Sequence, residues 1–154
     1  MNDNDNVPEV PPFGSITADT GLFVDFFTKG PLNEYIAKQI IENERTTEIL
    51  VHDYLITELY YIICRQKGKN EAQEVIEELL GFVTVISSDN IRLIAGTIKC
   101  ERNLALADCF SCSIAKKYDI PVFFREETEI NEEMVRKAFD FKLVMSPIQD
   151  VGKL

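Results

Sequence analysis

Leu104-Ala105-Leu106-Ala107-Asp108-Cys109-Phe110-Ser111-Cys112-Ser113-Ile114-Ala115-Lys116-Lys117-Tyr118-Asp119-Ile120-Pro121-Val122-Phe123-Phe124 sets one helix directly before one strand. The helix is predicted from about Asp108 to Lys117, and Asp119-Ile120-Pro121 leads into a short buried strand, Val122–Phe124. The same alternation continues outward. Upstream, Phe82-Val83-Thr84-Val85-Ile86 is the clearest strand by β-branched content, and Ser87, Ser88 and Asp89 cap a helix that runs to about Cys100. Before it, Asn70 is read as the cap of a helix whose stripe is Ala72, Val75, Ile76, Leu79 and Leu80, ended by Gly81. Asp53 to Gln66 is helical, Glu48 to Val51 a strand, and Pro31 opens an amphipathic helix that fades by Glu44. Ser15–Ala18 is a strand, Asp19-Thr20-Gly21 a turn, and Leu22–Phe27 a short helix. Downstream, a helix near Glu132–Ala138 and a strand, Phe141–Met145, complete the pattern. Strands alternating with helices predict an α/β fold, a parallel sheet between helical layers.

The chain has 154 residues, enough for one domain with its own core. Residues 1–13, with Pro8, Pro11 and Pro12, read as a flexible arm; residues 14–146 form the domain and 147–154 a tail. No apolar run is long enough for a transmembrane span, and the acidic start of the chain is the reverse of a secretory or mitochondrial leader, so a cytoplasmic protein is expected. Sixteen Lys and Arg against 26 Asp and Glu give a net charge of −10, which argues against coating nucleic acid or anionic membrane by bulk charge. Cys64, Cys100, Cys109 and Cys112 are too few for a disulfide scaffold. Cys109 and Cys112 lack a second pair at zinc spacing, and His52, the only histidine, is far off in sequence. The cysteines are read as mostly buried thiols.

In an open α/β sheet, ligands bind outside the carboxyl ends of the strands. Asp19 follows the first strand directly, and Glu126 and Glu127 follow Val122–Phe124 after one arginine. Glu58 lies in Tyr54-Leu55-Ile56-Thr57-Glu58-Leu59-Tyr60-Tyr61-Ile62-Ile63, apolar on nearly every side. A carboxylate there must be neutral, paired, or bound to a cation, with a salt bridge to Arg65 or snorkelling at the edge of the stripe as the alternatives to a cation site. Asp108 opens its helix among the small residues Ala105, Ser111 and Cys112, a setting that suits a helix cap and also leaves room for an ion and a phosphate.

Ala18-Asp19-Thr20-Gly21-Leu22-Phe23, Ile56-Thr57-Glu58-Leu59 and Asn103-Leu104-Ala105-Leu106-Ala107-Asp108-Cys109, followed by Ser113–Phe124, resemble in order and spacing the PIN domain. The likeness is to prokaryotic, particularly archaeal, ribonucleases of the VapC toxin type. The resemblance spans about Ser15 to Ile130. It implies a three-layer α/β/α fold with a central parallel sheet of four or five strands. It also implies an endoribonuclease dependent on Mg²⁺ or Mn²⁺, with Asp19, Glu58 and Asp108 as its acidic triad. A fourth acid is implied at Glu127, with Glu126 next; the family more often has Thr-x-Asp where this chain has Phe124-Arg125-Glu126-Glu127. An RNA substrate, a VapB-like antitoxin and a homodimer are implied as partners. Oxygen-rich sites suit hard cations, which polarise a phosphate and activate water. Arg65, Arg102 and Arg125 lie near the acids in sequence and are candidate phosphate contacts, with surface salt bridging as the alternative for each.

Asp19-Thr20-Gly21 is also the aspartic-protease tripeptide, but helical periodicity follows it instead of β structure. A phosphatase of the haloacid-dehalogenase type would need Asp where Gly21 stands, and phosphate-binding glycine loops are absent. The alternative of another class is a PIN-like binding or regulatory module with little or no nuclease activity.

Overall fold

In the computed structural model, residues 14–125 and 128–146 are described. The arm at 1–13, the tail at 147–154 and both Glu126 and Glu127 lie outside them. Five parallel strands form the sheet: β1 (Gly14–Ala18), β2 (Thr46–His52), β3 (Thr84–Ile86), β4 (Val122–Arg125) and β5 (Leu143–Ser146). Their order across the sheet is β3-β2-β1-β4-β5, so the first strand is central. Thr17 is aligned with Leu50 on one side and Val122 on the other, and Ala18 with Phe123. Because all pairs are parallel, the carboxyl ends of β1, β2 and β4 emerge along one edge. The expected three-layer α/β/α architecture is what forms.

The connecting helices are α1 (Thr20–Thr28), α2 (Asn33–Ile36), α3 (Asp53–Lys67), α4 (Lys69–Leu80), α5 (Arg92–Glu101), α6 (Leu106–Tyr118) and α7 (Thr128–Arg136). The first four cover one face, where Leu22, Phe23, Ile36, Leu55, Leu59, Ile63 and Leu79 pack on Ile16, Ile49 and Val51. The opposite face is filled from α5, α6 and α7 by Ala95, Ile98, Cys109, Cys112, Ala115 and Ile130 against Val122 and Phe124.

Several boundaries differ from the sequence reading, each for a local reason. Asp19-Thr20-Gly21 is no turn: Asp19 is the N-cap of α1, its side chain accepting from the Leu22 N–H, and the helix starts at Thr20. Helix α4 begins at Lys69, not after an Asn70 cap, since Gly68 at φ 93° makes the break from α3 and occupies the cap position. The helix expected from Pro31 is one short α-helical turn that widens into a π-helical stretch, Ala37–Ile41. The strand expected from Phe82 starts at Thr84, because the Phe82 and Val83 N–H groups are still bonded to the Leu79 carbonyl at the end of α4. Ser88–Asn90 is a separate 3₁₀ turn before α5.

Gly30 closes α1 with its N–H donating to the Asp25 carbonyl at 2.8 Å. A Cβ there would lie 2.6 Å from Asp25 Oδ1 and 3.2 Å from Asp25 Cα. Asp25 is buried and cannot swing clear. Gly30→Ala is therefore expected to destabilise the fold by about 1–3 kcal/mol, the usual range for overpacking, measured by urea denaturation.

Candidate active site

Asp19 leaves the central strand with its N–H donating to the Phe123 carbonyl at 3.0 Å, so β1 and β4 together fix its backbone. Its cap bond to the Leu22 N–H, at 3.4 Å, turns the carboxylate over the start of α1, where it is only 3% exposed. Gly21 keeps this corner open. A Cβ there would lie 3.3 Å from Asp19 Oδ2 and 3.8 Å from Cβ and Cδ of Arg125. The Arg125 stem thus runs past Gly21 beside the Asp19 carboxylate, and its guanidinium reaches Asp25 Oδ1 at 3.3 Å.

Asp108 sits in the first turn of α6, half-buried. Helix α6 packs on β1, β2 and β4, which carries its N-terminal end to the same sheet edge. Cys112 lies one turn after Asp108 and is fully buried. Burial pushes its thiol well above the ordinary value, Asp108 and then Cys109 push it further, Arg102 pulls it back, and Asp19 adds the smallest push. Cys109 is raised to about 11, again chiefly by burial. The Cys-x-x-Cys pair therefore consists of protonated, inert thiols. Of the other two cysteines, Cys64 is half-buried and Cys100 exposed, so the expectation of mostly buried thiols holds for Cys109 and Cys112 alone.

Glu58 is half-buried on α3. Leu55 is buried, but Tyr54 and Tyr61 are exposed, so Glu58 stands at the edge of the apolar stripe, one of the two alternatives to a cation site. Arg65, its suggested partner, is exposed and lies over the Tyr61 ring, 5.0 Å from the centroid. Arg102 is buried and donates to the Lys137 and Ala138 carbonyls at 2.6 and 2.7 Å. Its place is inside the fold, which corrects its reading as a phosphate contact or a surface salt bridge. Among the described residues, no group of three or more His, Cys, Asp or Glu side chains could hold a metal ion. The charges of Asp19 and Asp108 both reach the buried Cys112 thiol.

Two residues of this edge escaped the sequence reading. Asp25 is buried, and its Oδ2 has no hydrogen-bond partner among the described residues. Burial raises its pKa, with Arg125 pulling the other way. The signal was an acid inside Leu22-Phe23-Val24-Asp25-Phe26-Phe27, the same pattern that drew attention to Glu58. His52 is the second. It ends β2 and caps α3, Nδ1 accepting from the Leu55 N–H at 3.0 Å, while Nε2 meets Ser111 Oγ on α6 at 3.2 Å.

Burial lowers the His52 pKa to about 4, against smaller upward pulls from Asp53 and from a hydrogen bond to the Ala107 backbone. Between pH 6.5 and 4 the unfolded chain binds a proton there that the folded chain does not. Stability is therefore full above pH 6.5 and falls as pH drops toward 4, by about 3 kcal/mol. Chemical denaturation over that range is expected to show this slope, and His52→Asn to remove it.

The model of the PIN domain family matches residues 16–138, nearly the whole described fold. The chain belongs to the PIN domain family. Solved PIN-like neighbours agree on the fold. VapBC2 from Rickettsia felis, bound to a DNA fragment from its promoter, is 16% identical over 86% of this chain and 99% of that one, with a TM-score of 0.66. The Mycobacterium tuberculosis toxin VapC20, described as cleaving the sarcin-ricin loop, is 16% identical over 76% and 94%, with a TM-score of 0.62. DNA-bound VapBC from Salmonella typhimurium is 13% identical over 85% and 97%, with a TM-score of 0.62. No curated protein matches the chain. In this PIN domain, no described helix is long and apolar enough to cross a membrane.

Proposed function

We propose that this PIN domain is a divalent-cation-dependent endoribonuclease and the toxin of a VapBC-type pair. The observation that carries the reading is Asp19, buried at the ligand edge of the sheet beside Gly21 and Arg125, with Asp108 in the first turn of α6 and both charges reaching Cys112. Two carboxylates with water and substrate phosphate are a donor set suited to Mg²⁺ or Mn²⁺. Such an ion, when bound, lowers the pKa of a coordinated water and neutralises charge on the phosphate. Asp19 and Asp108 are the holding pair; Glu58 and Glu127, with Glu126 as alternate, complete the acidic set in this reading. Hydrolysis forms a bond from the water oxygen to phosphorus and breaks one to a ribose oxygen. One of these acids accepts the proton that the water loses.

Arg125 is the phosphate contact favoured by geometry. Buried Asp25 anchors one end of its guanidinium, its stem lies beside Asp19, and the side chain keeps 40% exposure toward solvent. Arg65 is a weaker candidate, exposed and lying over Tyr61. An acidic surface with one placed arginine suits an RNA contact that is local and cation-bridged. A cognate antitoxin and a homodimer belong to the same proposal, the antitoxin supported by a solved structural neighbour that is a toxin–antitoxin complex.

The test is incubation of varied RNAs with the protein and Mn²⁺ or Mg²⁺, with and without EDTA, beside Asp19→Asn/Asp108→Asn. Cleavage that requires the ion and both acids is expected. Equal cleavage by wild type and variant, or none by wild type, would instead favour a non-catalytic PIN module. That second reading draws on the lack of a three-acid group among the described residues.

A further inference from the structure

His52 is fully buried at the point where the two faces of the sheet meet. Through Nδ1 it accepts the Leu55 N–H of α3, so the ring proton is on Nε2, which faces Ser111 Oγ of α6. Leu55 is three residues before Glu58, and Ser111 three residues after Asp108. Each contact is therefore one helical turn from an acid and close to its face. The ring is held by neighbours from the same two helices: Tyr54 stacks at 6.3 Å and Phe110 lies tilted at 5.4 Å. Tyr54 and Phe110 in turn stack on each other at 5.8 Å. Contacts between these helices are few, since α3 packs on one face of the sheet and α6 on the other.

We infer that His52 is a positioning residue for the acidic site, a single side chain that sets the start of α3 against the start of α6 and so fixes Glu58 relative to Asp108. A serine, threonine or aspartate would cap α3 equally well but is too short to reach Ser111. The lowered pKa agrees, since a neutral imidazole keeps one acceptor and one donor and can serve both helices at once. The inference rests on the reading that these acids hold a divalent cation.

Two substitutions test the link from opposite ends. His52→Asn retains an acceptor for the Leu55 N–H and loses the reach to Ser111 and the Ala107 backbone; Ser111→Ala leaves the cap and the Ala107 bond in place. Titration of the full chain with Mn²⁺, read by electron paramagnetic resonance, is expected to give about tenfold weaker binding for His52→Asn and a smaller loss for Ser111→Ala, with the double variant no worse than His52→Asn. RNA cleavage is expected to fall in kcat with KM little changed. In the cation-free protein, amide exchange in the first turn of α6 is expected to quicken for both variants. Lower melting temperatures with unchanged Mn²⁺ affinity and kcat would overturn the inference, as would unchanged exchange in that turn. A wild type that takes up no Mn²⁺ overturns the ribonuclease reading instead, and the exchange experiment then decides the link between the helices alone.

Discussion

Asp108→Asn is expected to lower cation-dependent RNA cleavage by at least about a hundredfold while the fold stays as stable as before. The size follows from what the carboxylate supplies. It is one of two negative groups whose charges act on the Cys112 thiol. Removing half of that charge weakens both ion binding and the stabilisation of the reacting phosphate, and about 1.4 kcal/mol of lost stabilisation already makes a factor of ten. The stability expectation follows from two opposed small effects. Asparagine gives up the favourable interaction of a carboxylate with the N-terminal end of α6, about 0.3–1 kcal/mol, and relieves repulsion from Asp19 by a similar amount. Asp19→Asn is the companion variant, because asparagine caps helices as well as aspartate and can still accept from the Leu22 N–H. Cleavage rates with Mn²⁺, together with thermal melts, check both. A variant that melts with the wild type and cleaves within threefold of it would place the chemistry elsewhere.

The sheet was legible because its strands are short runs of apolar, largely β-branched or aromatic residues set between helical periods. Val122–Phe124 is bounded by Pro121 and Arg125, and the strand sits where those residues put it. Helix starts were less legible. Asp19 and Gly68 each carry a signal that suits a turn and a cap alike, and only the neighbouring packing decides between them. Asp19 reads as a turn until the Leu22 N–H is seen above its carboxylate. Asn70 is an ordinary capping residue, overruled by a glycine two places earlier that alone tolerates φ 93°.

For the candidate site, the strand-end rule pointed to one edge of the sheet, where Asp19 follows β1 and His52 and Arg125 end β2 and β4. What the sequence could not supply is pairing across distance. Asp25 and Arg125 are a hundred residues apart, and His52 and Ser111 fifty-nine. Each pair is brought together by the crossing from β1 to β4 or from β2 to α6, and no local pattern encodes that. Charge near the acids in sequence was a poor guide for the same reason: Arg125 pairs with Asp25 at the sheet edge and Arg102 is enclosed.

Arg102 accordingly carries the largest expected effect on stability. It follows α5 directly, and its guanidinium forks to the carbonyls of Lys137 and Ala138, just past the end of α7, whose last carbonyls have no helical partner. It also lies 3.5 Å from buried Glu133 and 4.3 Å above the Phe139 ring. Glu133 is held below the usual carboxylate range by its hydrogen bond from Arg136, so it stays charged inside the fold. Arg102→Met leaves two carbonyls without their donor and Glu133 with Arg136 and the Asn103 backbone as its remaining partners. Removing one partner of a buried ion pair is strongly destabilising, and a fall in melting temperature of about 10 °C is expected. Arg102→Lys is expected to recover less than half of it, because an ammonium cannot fork to both carbonyls. The same variant tests the phosphate role suggested by sequence proximity. Well below its midpoint, folded Arg102→Met is expected to cleave RNA with unchanged KM, whereas Arg125→Met raises KM without lowering the melting temperature comparably. A raised KM for Arg102→Met would mean that this arginine touches the substrate despite its burial.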